Sequence, residues 1–244
     1  MEYRHVFNRR GRAYDTAMQR FPNARANEFR ALFDGIELRR DMDVVDVPAG
    51  GGYLRPYLPA HVKLHEYECS SGFFVSSQNV SLINDIGALP ERSFDLAVSV
   101  AALHHVADKG AFILALLRSL RPGGAVLLAD VEAGSSEAQF LDGFVAQNNV
   151  TGHNGMYLQG GREHLSKYLK AGAARIRTVE RRSCPWVFPS ESAMLSFVKL
   201  LFGMPNVDEA LLRAALNTLG IERQGSSVVL RWGLLYAVLE PETF

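Results

Sequence analysis

Short apolar runs alternate with amphipathic stretches through the first half of the chain. Five runs have the length and apolar content of buried strands, at residues 43–47, 62–68, 80–84, 94–100 and 125–130. Helical stretches follow three of them, one reaching about residue 57 and the others covering 71–78 and 109–120. Strands that alternate with helices predict a parallel sheet with helices on both of its faces.

The two ends of the chain follow a different pattern. Residues 6–40 have apolar positions near helical spacing, and Pro22 divides them into two helices. After residue 135 the pattern predicts helices at 136–147, 162–171, 190–202 and 207–219, with strands at 174–181 and 227–239. We therefore expect a helical lid over residues 1–40 and one domain over residues 41–244, with a helical insertion at about 190–219 before the last strand.

Composition limits the classes of protein to which the chain can belong. It has 244 residues, 48% of them hydrophobic, and 26 basic residues balance 26 acidic ones. The absence of a basic excess argues against nucleic acid and anionic membrane as partners. The cysteines, Cys69 and Cys184, cannot form a disulfide framework, and without a Cys-x-x-Cys pattern we predict no metal site. No apolar run reaches the roughly 20 residues of a membrane span and the start lacks a signal peptide, so we expect a cytoplasmic protein.

The junction after the first predicted strand carries the clearest chemical signal. The strand ends at Asp46 and runs into a turn at residues 48–52 that contains three glycines. A strand that ends in a glycine turn before a helix is where α/β folds bind nucleotide-like ligands. A carboxylate at Asp46 would repel the pyrophosphate of a dinucleotide, whereas it suits the sulfonium and ammonium groups of S-adenosylmethionine. Arg55 also stands where the dinucleotide fingerprint needs a small residue.

Two acids near the end of the second predicted strand compete for a ribose-binding role. Glu66 and Glu68 both follow Asp46 by close to the ~20 residues expected of an acid that binds ribose hydroxyls. Their side chains share one face of the strand, so the spacing alone leaves both open.

Five segments, taken together and in order, resemble the motifs of class I S-adenosylmethionine-dependent methyltransferases. Residues 46–52 match the family's Asp/Glu-x-Gly-x-Gly-x-Gly, with Pro48 in place of the first glycine. The others are the Asp-x-Ser-like 68–70, the adenine-binding segment 84–86, the fourth strand and its end at 94–105, and the turn 120–124 into the fifth strand. The chain is most similar to the type 11-like group that is related to the ubiquinone and malonyl-carrier methyltransferases.

The resemblance implies a fold, a cofactor and a set of cofactor-binding residues. The fold is an α/β, doubly wound, seven-stranded and mostly parallel sheet, Rossmann-like, whose last strand is antiparallel. The cofactor is S-adenosyl-L-methionine, which leaves as S-adenosyl-L-homocysteine. In the family the acid at Glu68 would take the ribose, and Asp85 with the backbone of Ile86 would read the adenine. The expected cofactor-binding residues are Asp46, Pro48, Ala49, Gly50, Gly52, Glu68, Cys69, Asp85, Ile86, Val100 and Ala101.

Polar residues after strands four and five and in the lid are the candidates for acceptor binding and catalysis. Methyl transfer from a sulfonium is an in-line displacement, and a base is needed only if the acceptor atom starts protonated. The catalytic candidates are His105 and His153, and the candidate substrate contacts are Tyr14, Arg25, His104, Asp130 and Tyr157. Each has a structural alternative: packing or capping for the adjacent histidines, a helix cap for Asp130, a plain turn around His153, and a solvated helix face for the lid residues.

The sequence therefore predicts an enzyme that transfers a methyl group from S-adenosylmethionine to a small-molecule acceptor. The competing hypothesis is a non-catalytic S-adenosylmethionine-binding module or partner subunit, because cofactor motifs report binding and say nothing of turnover. An apolar stripe at residues 186–204 predicts core packing, a pocket for an apolar acceptor, or the contact of a homodimer.

Overall fold

A seven-stranded sheet forms the centre of the computed structural model, which describes residues 3–73, 79–170 and 172–242. Its strands are β1 (Asp43–Asp46), β2 (Lys63–Glu68), β3 (Val80–Leu82), β4 (Phe94–Val100), β5 (Leu120–Asp130), β6 (Ala174–Ser183) and β10 (Gly233–Pro241). Their order in the sheet is β3-β2-β1-β4-β5-β10-β6. The strands β1 to β5 pair in parallel, and β10 runs antiparallel between β5 and β6. The predicted doubly wound sheet with an antiparallel last strand is confirmed.

Helices cover both faces of this sheet. They are α1 (Tyr3–Arg20), α2 (Ala26–Ala31), α3 (Lys109–Ser119), α4 (Ser136–Phe140), α5 (Ala146–Asn148), α6 (Arg162–Ser166), α7 (Glu191–Leu201) and α8 (Glu209–Asn217), with a π-helical turn (Leu141–Val145) joining α4 to α5. Val44 and Val98 pack into a core shared with α1, α2 and α7, whereas Val45 and Ala97 pack into a second core shared with α3. Burial on both faces explains why the central strands are apolar without alternation.

The helix expected after β1 is shorter than predicted. After β1 the chain forms a turn and one short 3₁₀ helix (Arg55–Tyr57), because Gly50 and Gly52 have φ of +57° and +80°, outside the helical range. After β2 it forms a 3₁₀ helix (Ser71–Phe73), and the rest of the helix predicted at 71–78 lies outside the described residues.

The last strand predicted at 227–239 is two strands in two different sheets. The strand β9 (Ser227–Leu230) lies between β7 (Trp186–Phe188) and β8 (Ile221–Gln224) in a three-stranded antiparallel sheet, and β10 begins only at Gly233. The continuous apolar pattern hid this break because both strands are buried. The insertion therefore consists of α7, α8 and this small sheet, and not of helices alone.

Helix α1 lies along the loops at the carboxyl end of the sheet. Its first turn contacts the end of β2, where the Tyr3 hydroxyl donates to Glu68 and the Arg4 side chain donates to the backbone carbonyls of Cys69 and Asn84. Farther along, Arg10 Nη2 donates to the carbonyl of Leu201 at the end of α7 (3.0 Å). Among the described residues, no helix combines the length and the apolarity that crossing a membrane requires.

Candidate active site

A cavity at the carboxyl ends of β1 and β4 brings together residues from many separate parts of the chain. Strand ends and the glycine turn form its floor, while α1, the loop after β5 and the insertion form its walls. Aromatic side chains make up much of the lining, including Tyr3, Phe7, Tyr14, Phe73, Trp186 and Trp232. The charged and imidazole side chains that line it are Arg10, Arg25, Glu28, Asp46, His104, His105 and His153.

The glycine turn supplies one end of the cavity. Of its predicted cofactor residues, Asp46, Pro48, Ala49 and Gly50 line the cavity, as do Val100 and Ala101 at the end of β4. Gly52 faces away from it, since a Cβ at this position would lie 3.0 Å from a carboxylate oxygen of Glu66. The positive φ values of Gly50 and Gly52 let the turn fold back tightly after the strand, and Pro48 does not prevent this geometry.

Three acids lie close together beneath this turn. Burial, followed by the nearby charges of Glu66 and Glu68, raises the pKa of Asp46 well above its usual range. Burial also raises the pKa of Glu66, and it raises the pKa of Glu68 to about 7. A cationic ligand beside these carboxyls would compensate their negative charge, so the cluster favours a group such as a sulfonium or an ammonium over a phosphate.

Glu68 and Glu66 differ in how their oxygens are used. Glu68 is fully buried, and its Oε1 accepts from the backbone NH groups of Cys69 and Ser70, at 2.8 and 2.7 Å. Its Oε2 accepts from Gly50 N (2.6 Å) and from the Tyr3 hydroxyl (3.0 Å). Glu66 Oε1 is buried and has no hydrogen-bond partner among the described residues. Glu68 already accepts a hydrogen bond from a hydroxyl group, that of Tyr3, and Glu66 has an oxygen without a partner. Both acids therefore remain candidates for binding the ribose hydroxyls.

The expected adenine-binding residues lie outside the cavity lining. Asp85 is exposed, and its Oδ1 accepts from Gly87 N (2.6 Å), which caps the 3₁₀ helix Ile86–Ala88. Ile86 is half-buried against the core that contains α3. Asp85 therefore lies in the segment after β3, outside the cavity lining.

Three histidines meet on one wall of the cavity. His104 and His105 form a 3₁₀ turn directly after β4 with ring centroids 4.1 Å apart, and His153 comes from the loop after α5. The centroid of the His153 ring lies 5.5 Å from that of His104 and 5.3 Å from that of His105. All three residues are buried. The fold thus assembles a cluster from two sequence segments about fifty residues apart.

Carboxylates orient two of these rings. His104 Nδ1 lies 2.6 Å from Asp130 Oδ1, and Asp130 Oδ2 accepts from the His104 backbone NH (2.9 Å). His153 Nδ1 lies 2.9 Å from Asp142 Oδ1. Asp142 also accepts from the Tyr157 hydroxyl (2.8 Å), so Tyr157 supports the cluster from outside the cavity lining. Asp130 therefore serves a histidine and does not cap a helix.

Burial keeps two of the three rings, His105 and His153, uncharged. It lowers the pKa of His105 well below the usual range and the pKa of His153 to about 4, and the neighbouring His104 lowers both further. His105 Nδ1 is buried without a hydrogen-bond partner in the part of the chain that the structure describes. Neutral imidazoles at neutral pH can accept a proton or donate a lone pair.

The N-terminal segment that contains α1 and α2 contributes two arginines with different surroundings. The positive charge of Arg25 is compensated by Glu28, because Arg25 Nε donates to Glu28 Oε2 (2.7 Å). Arg25 Nη1 also donates to the Tyr14 hydroxyl. Arg10 is 4% exposed, and its Nε and Nη1 have no hydrogen-bond partner among the described residues. Burial lowers the pKa of Arg10 to about 10, so it stays charged at neutral pH.

Sequence reasoning missed Arg10 and Asp142. Arg10 is one of several arginines on a helix whose basic face reads as solvated, and only the docking of α1 onto α7 shows that it is buried. Asp142 lies in the π-helical turn, eleven residues before His153. A carboxylate at that distance from a histidine gives no pattern that a sequence could reveal.

One known protein family matches the part of the chain that runs from β1 to β5. Residues 45–128 match a family described as methyltransferase domain. A search of curated protein sequences gave no match.

Solved structures share the fold at low sequence identity. A methyltransferase-like protein of Bacillus halodurans is 16% identical, with 88% of this chain and 99% of that chain covered and a TM-score of 0.59. A Haloferax volcanii protein solved in complex with the methyltransferase activator Trm112 is 14% identical, with coverages of 100% and 99% and a TM-score of 0.59. The phosphoethanolamine N-methyltransferase 2 of Haemonchus contortus, solved with phosphomonomethylethanolamine and S-adenosylhomocysteine, is 16% identical, with coverages of 99% and 60% and a TM-score of 0.58. At these identities the likeness supports the fold.

Proposed function

We propose that this chain, a class I S-adenosylmethionine-dependent methyltransferase whose residues 45–128 carry the methyltransferase-domain family match, methylates a small molecule with an anionic group. The observation that carries the proposal is the cavity itself. It is bounded by α1 on one side and the insertion on another, and it is continuous with the glycine turn. A compact acceptor fits such a pocket, whereas a protein or nucleic-acid chain needs an open groove.

The acid cluster and the glycine turn are the proposed seat of the cofactor. Asp46 would face the positive charges of the methionine part, and Gly50 lets the ligand approach the backbone closely. Glu68 would accept hydrogen bonds from the ribose hydroxyls once the ribose displaces the Tyr3 hydroxyl from Glu68 Oε2. Glu66 is the alternative acceptor. By the family resemblance, Asp85 and the backbone of Ile86 would contact the adenine.

The histidine wall is the proposed place for the acceptor atom. Bound cofactor supplies the methyl group as an electrophile, so the residues of this wall have to align the acceptor and exclude water. If the acceptor atom carries a proton, the neutral ring of His153, held by Asp142, is placed to take it. His105 has an unused nitrogen on the same wall and is the second candidate for that role.

Arg10 supports an acceptor with a negative charge. A buried guanidinium with two nitrogens that lack hydrogen-bond partners is costly, and a carboxylate or phosphate oxygen is the partner that satisfies it. The aromatic residues Phe7 and Trp232, which line the same cavity, suit the apolar remainder of such an acid.

The test is release of S-adenosylhomocysteine from S-adenosylmethionine with a panel of small acids, each paired with its neutral amide. We expect turnover with one or more acids and little with the matched amides. With the acid that reacts, Arg10→Met should raise KM by about 10–100-fold, the scale of a charge-assisted hydrogen bond, and should leave S-adenosylhomocysteine affinity unchanged. The control is Arg12→Met, on an exposed position of the same helix.

Two results would contradict this proposal in different ways. If acids and amides were turned over equally and the KM of Arg10→Met were unchanged, the proposal that the acceptor carries an anionic group would be contradicted. Tight cofactor binding without turnover on any member of a broad panel would instead favour the non-catalytic module.

A further inference from the structure

The three histidines of the cavity wall lie at a spacing that one metal ion could bridge. One nitrogen of each ring lies within 4.8 Å of a nitrogen of both other rings. An ion with bonds of about 2.0–2.1 Å to histidine needs these nitrogens roughly 3.4 Å apart in tetrahedral geometry. The nitrogens therefore have to approach by roughly 1.4 Å at most, which modest rotations of the rings can supply.

Two of the rings already have the support that metal-binding histidines receive. Asp130 holds Nδ1 of His104 at 2.6 Å, and Asp142 holds Nδ1 of His153 at 2.9 Å. A carboxylate on one ring nitrogen fixes the tautomer and leaves the lone pair of the other nitrogen for a metal. The two carboxylates also supply negative charge that can compensate a divalent cation in a buried place.

The third ring has an unused buried nitrogen. His105 is 5% exposed, and its Nδ1 finds no hydrogen-bond partner within the described ranges. Buried polar atoms without partners are rare and call for a missing ligand, water or ion. Coordination would give this nitrogen its partner.

We propose that His104, His105 and His153 bind one divalent transition-metal ion, with zinc(II) the best fit to the ligands. Imidazole nitrogens suit zinc and its neighbours in the first transition row, whereas calcium and magnesium need oxygen ligands. Three protein ligands leave a further position open toward the cavity, as in catalytic zinc sites. Arg10 lies on the same cavity and opposes a second cation, so Asp130 and Asp142 have to offset its charge.

The experiment uses the full chain with any affinity tag removed, titrated with zinc chloride by calorimetry and with cobalt(II) by visible absorption. We expect one ion per chain and a cobalt spectrum of tetrahedral type. His153→Ala should weaken the zinc Kd by at least about 100-fold, and Asp142→Asn, which keeps all three rings, by about 10–100-fold. The matched control is His61→Ala, an exposed histidine whose ring meets only a backbone carbonyl.

Binding of S-adenosylhomocysteine to the same variants separates this inference from the proposed function. Unchanged cofactor affinity in a variant that has lost zinc would support the site, because it excludes misfolding. Wild-type protein that binds neither ion stoichiometrically would overturn the inference, and so would a zinc Kd for His153→Ala and Asp142→Asn equal to that of the control. The cofactor assignment and the anionic acceptor would stand in either case, whereas a bound ion would replace the proton-accepting role proposed for His153 and His105.

Discussion

Two acids near the glycine turn, Asp46 at the end of β1 and Glu68 at the end of β2, have raised pKa values because they are buried. Asp46 and Glu68 are 5% and 0% exposed, and the fold provides no cation beside them among the contacts of the described residues. Burial raises the pKa of Glu68 from its ordinary 4.5 to about 7, so its contribution to stability is fully present below about pH 4.5 and is lost as the pH rises through 7. The protein without cofactor therefore stores an electrostatic cost near neutral pH that a ligand can relieve.

This cost predicts how cofactor affinity depends on pH. Hydroxyl groups that donate to Glu68 favour its carboxylate, so binding should release a proton, and affinity for S-adenosylhomocysteine should fall about tenfold per pH unit below pH 7. Calorimetry between pH 5.5 and 8 measures this slope directly. Glu68→Gln should bind more weakly at pH 8 and show a flatter profile, since only Asp46 and Glu66 still titrate. A flat profile in Glu66→Gln with a normal one in Glu68→Gln would move the ribose role to Glu66.

At the scale of elements, the docking of α1 depends on one close approach between backbones. Gly11 in α1 faces Gly72 in the 3₁₀ helix after β2, and a Cβ on Gly11 would lie 2.6 Å from the carbonyl carbon of Gly72. This approach brings the Tyr3 hydroxyl to Glu68 and Phe7 against Phe73, with ring centroids 5.2 Å apart. Two glycines that look like helix breakers in the sequence thus form the contact by which α1 packs over the site.

Replacing Gly11 by alanine should destabilise the protein, although alanine is normally more stabilising than glycine inside a helix. Alanine inside a helix normally adds about 1 kcal/mol of stability relative to glycine. Gly11→Ala should instead lower the free energy of unfolding by about 1–3 kcal/mol, because backbone atoms of Gly72 cannot move aside as a side chain can. Urea unfolding measures the change. Gly143→Ala in the π-helical turn is the control, since no atom lies within 4 Å of its Cβ, and it should be neutral or stabilising. A gain of stability in Gly11→Ala would show that α1 does not dock as described.

At the scale of the whole molecule, the insertion completes the cavity that the sheet begins. Trp186 on β7 and Trp232 between β9 and β10 stack with ring centroids 4.2 Å apart, and both line the cavity. They also pack against Phe202 at the end of α7. Two small strands that the sequence pattern concealed therefore place the aromatic wall opposite the strand ends.

This arrangement makes the intrinsic fluorescence a probe of the acceptor pocket. The chain contains only two tryptophans, and both lie in the cavity wall. We expect the reacting acceptor to change tryptophan emission substantially, and S-adenosylhomocysteine alone to change it less. The proposed cofactor residues come from the glycine turn and the end of β4, whereas Trp186 belongs to β7 and Trp232 to the segment between β9 and β10. Trp232→Phe should reduce the acceptor signal. If the emission changed on binding of the cofactor but not of the acceptor, the acceptor would have to bind away from the two tryptophans.

The sequence by itself determined the sheet and the order of the motifs, and it predicted the methyl donor. Each of these depends on local pattern: buried parallel strands are continuous apolar runs, and the acid, the glycine turn and the acid of the next strand occur at fixed spacing around Asp46. The same local reasoning placed His104, His105 and His153 among the candidates, and the fold brings them together.

Only the tertiary structure decided which polar groups are buried and what they meet. Arg10 reads as a solvated basic residue until α1 docks on α7, and Asp142 acquires a role only because the π-helical turn faces His153. The break between β9 and β10 likewise follows from their pairing with different partner strands. A continuous apolar run in the sequence does not reveal which strands pair. Contacts between distant segments fix burial, and burial sets the charge state of the acids and histidines in the cavity.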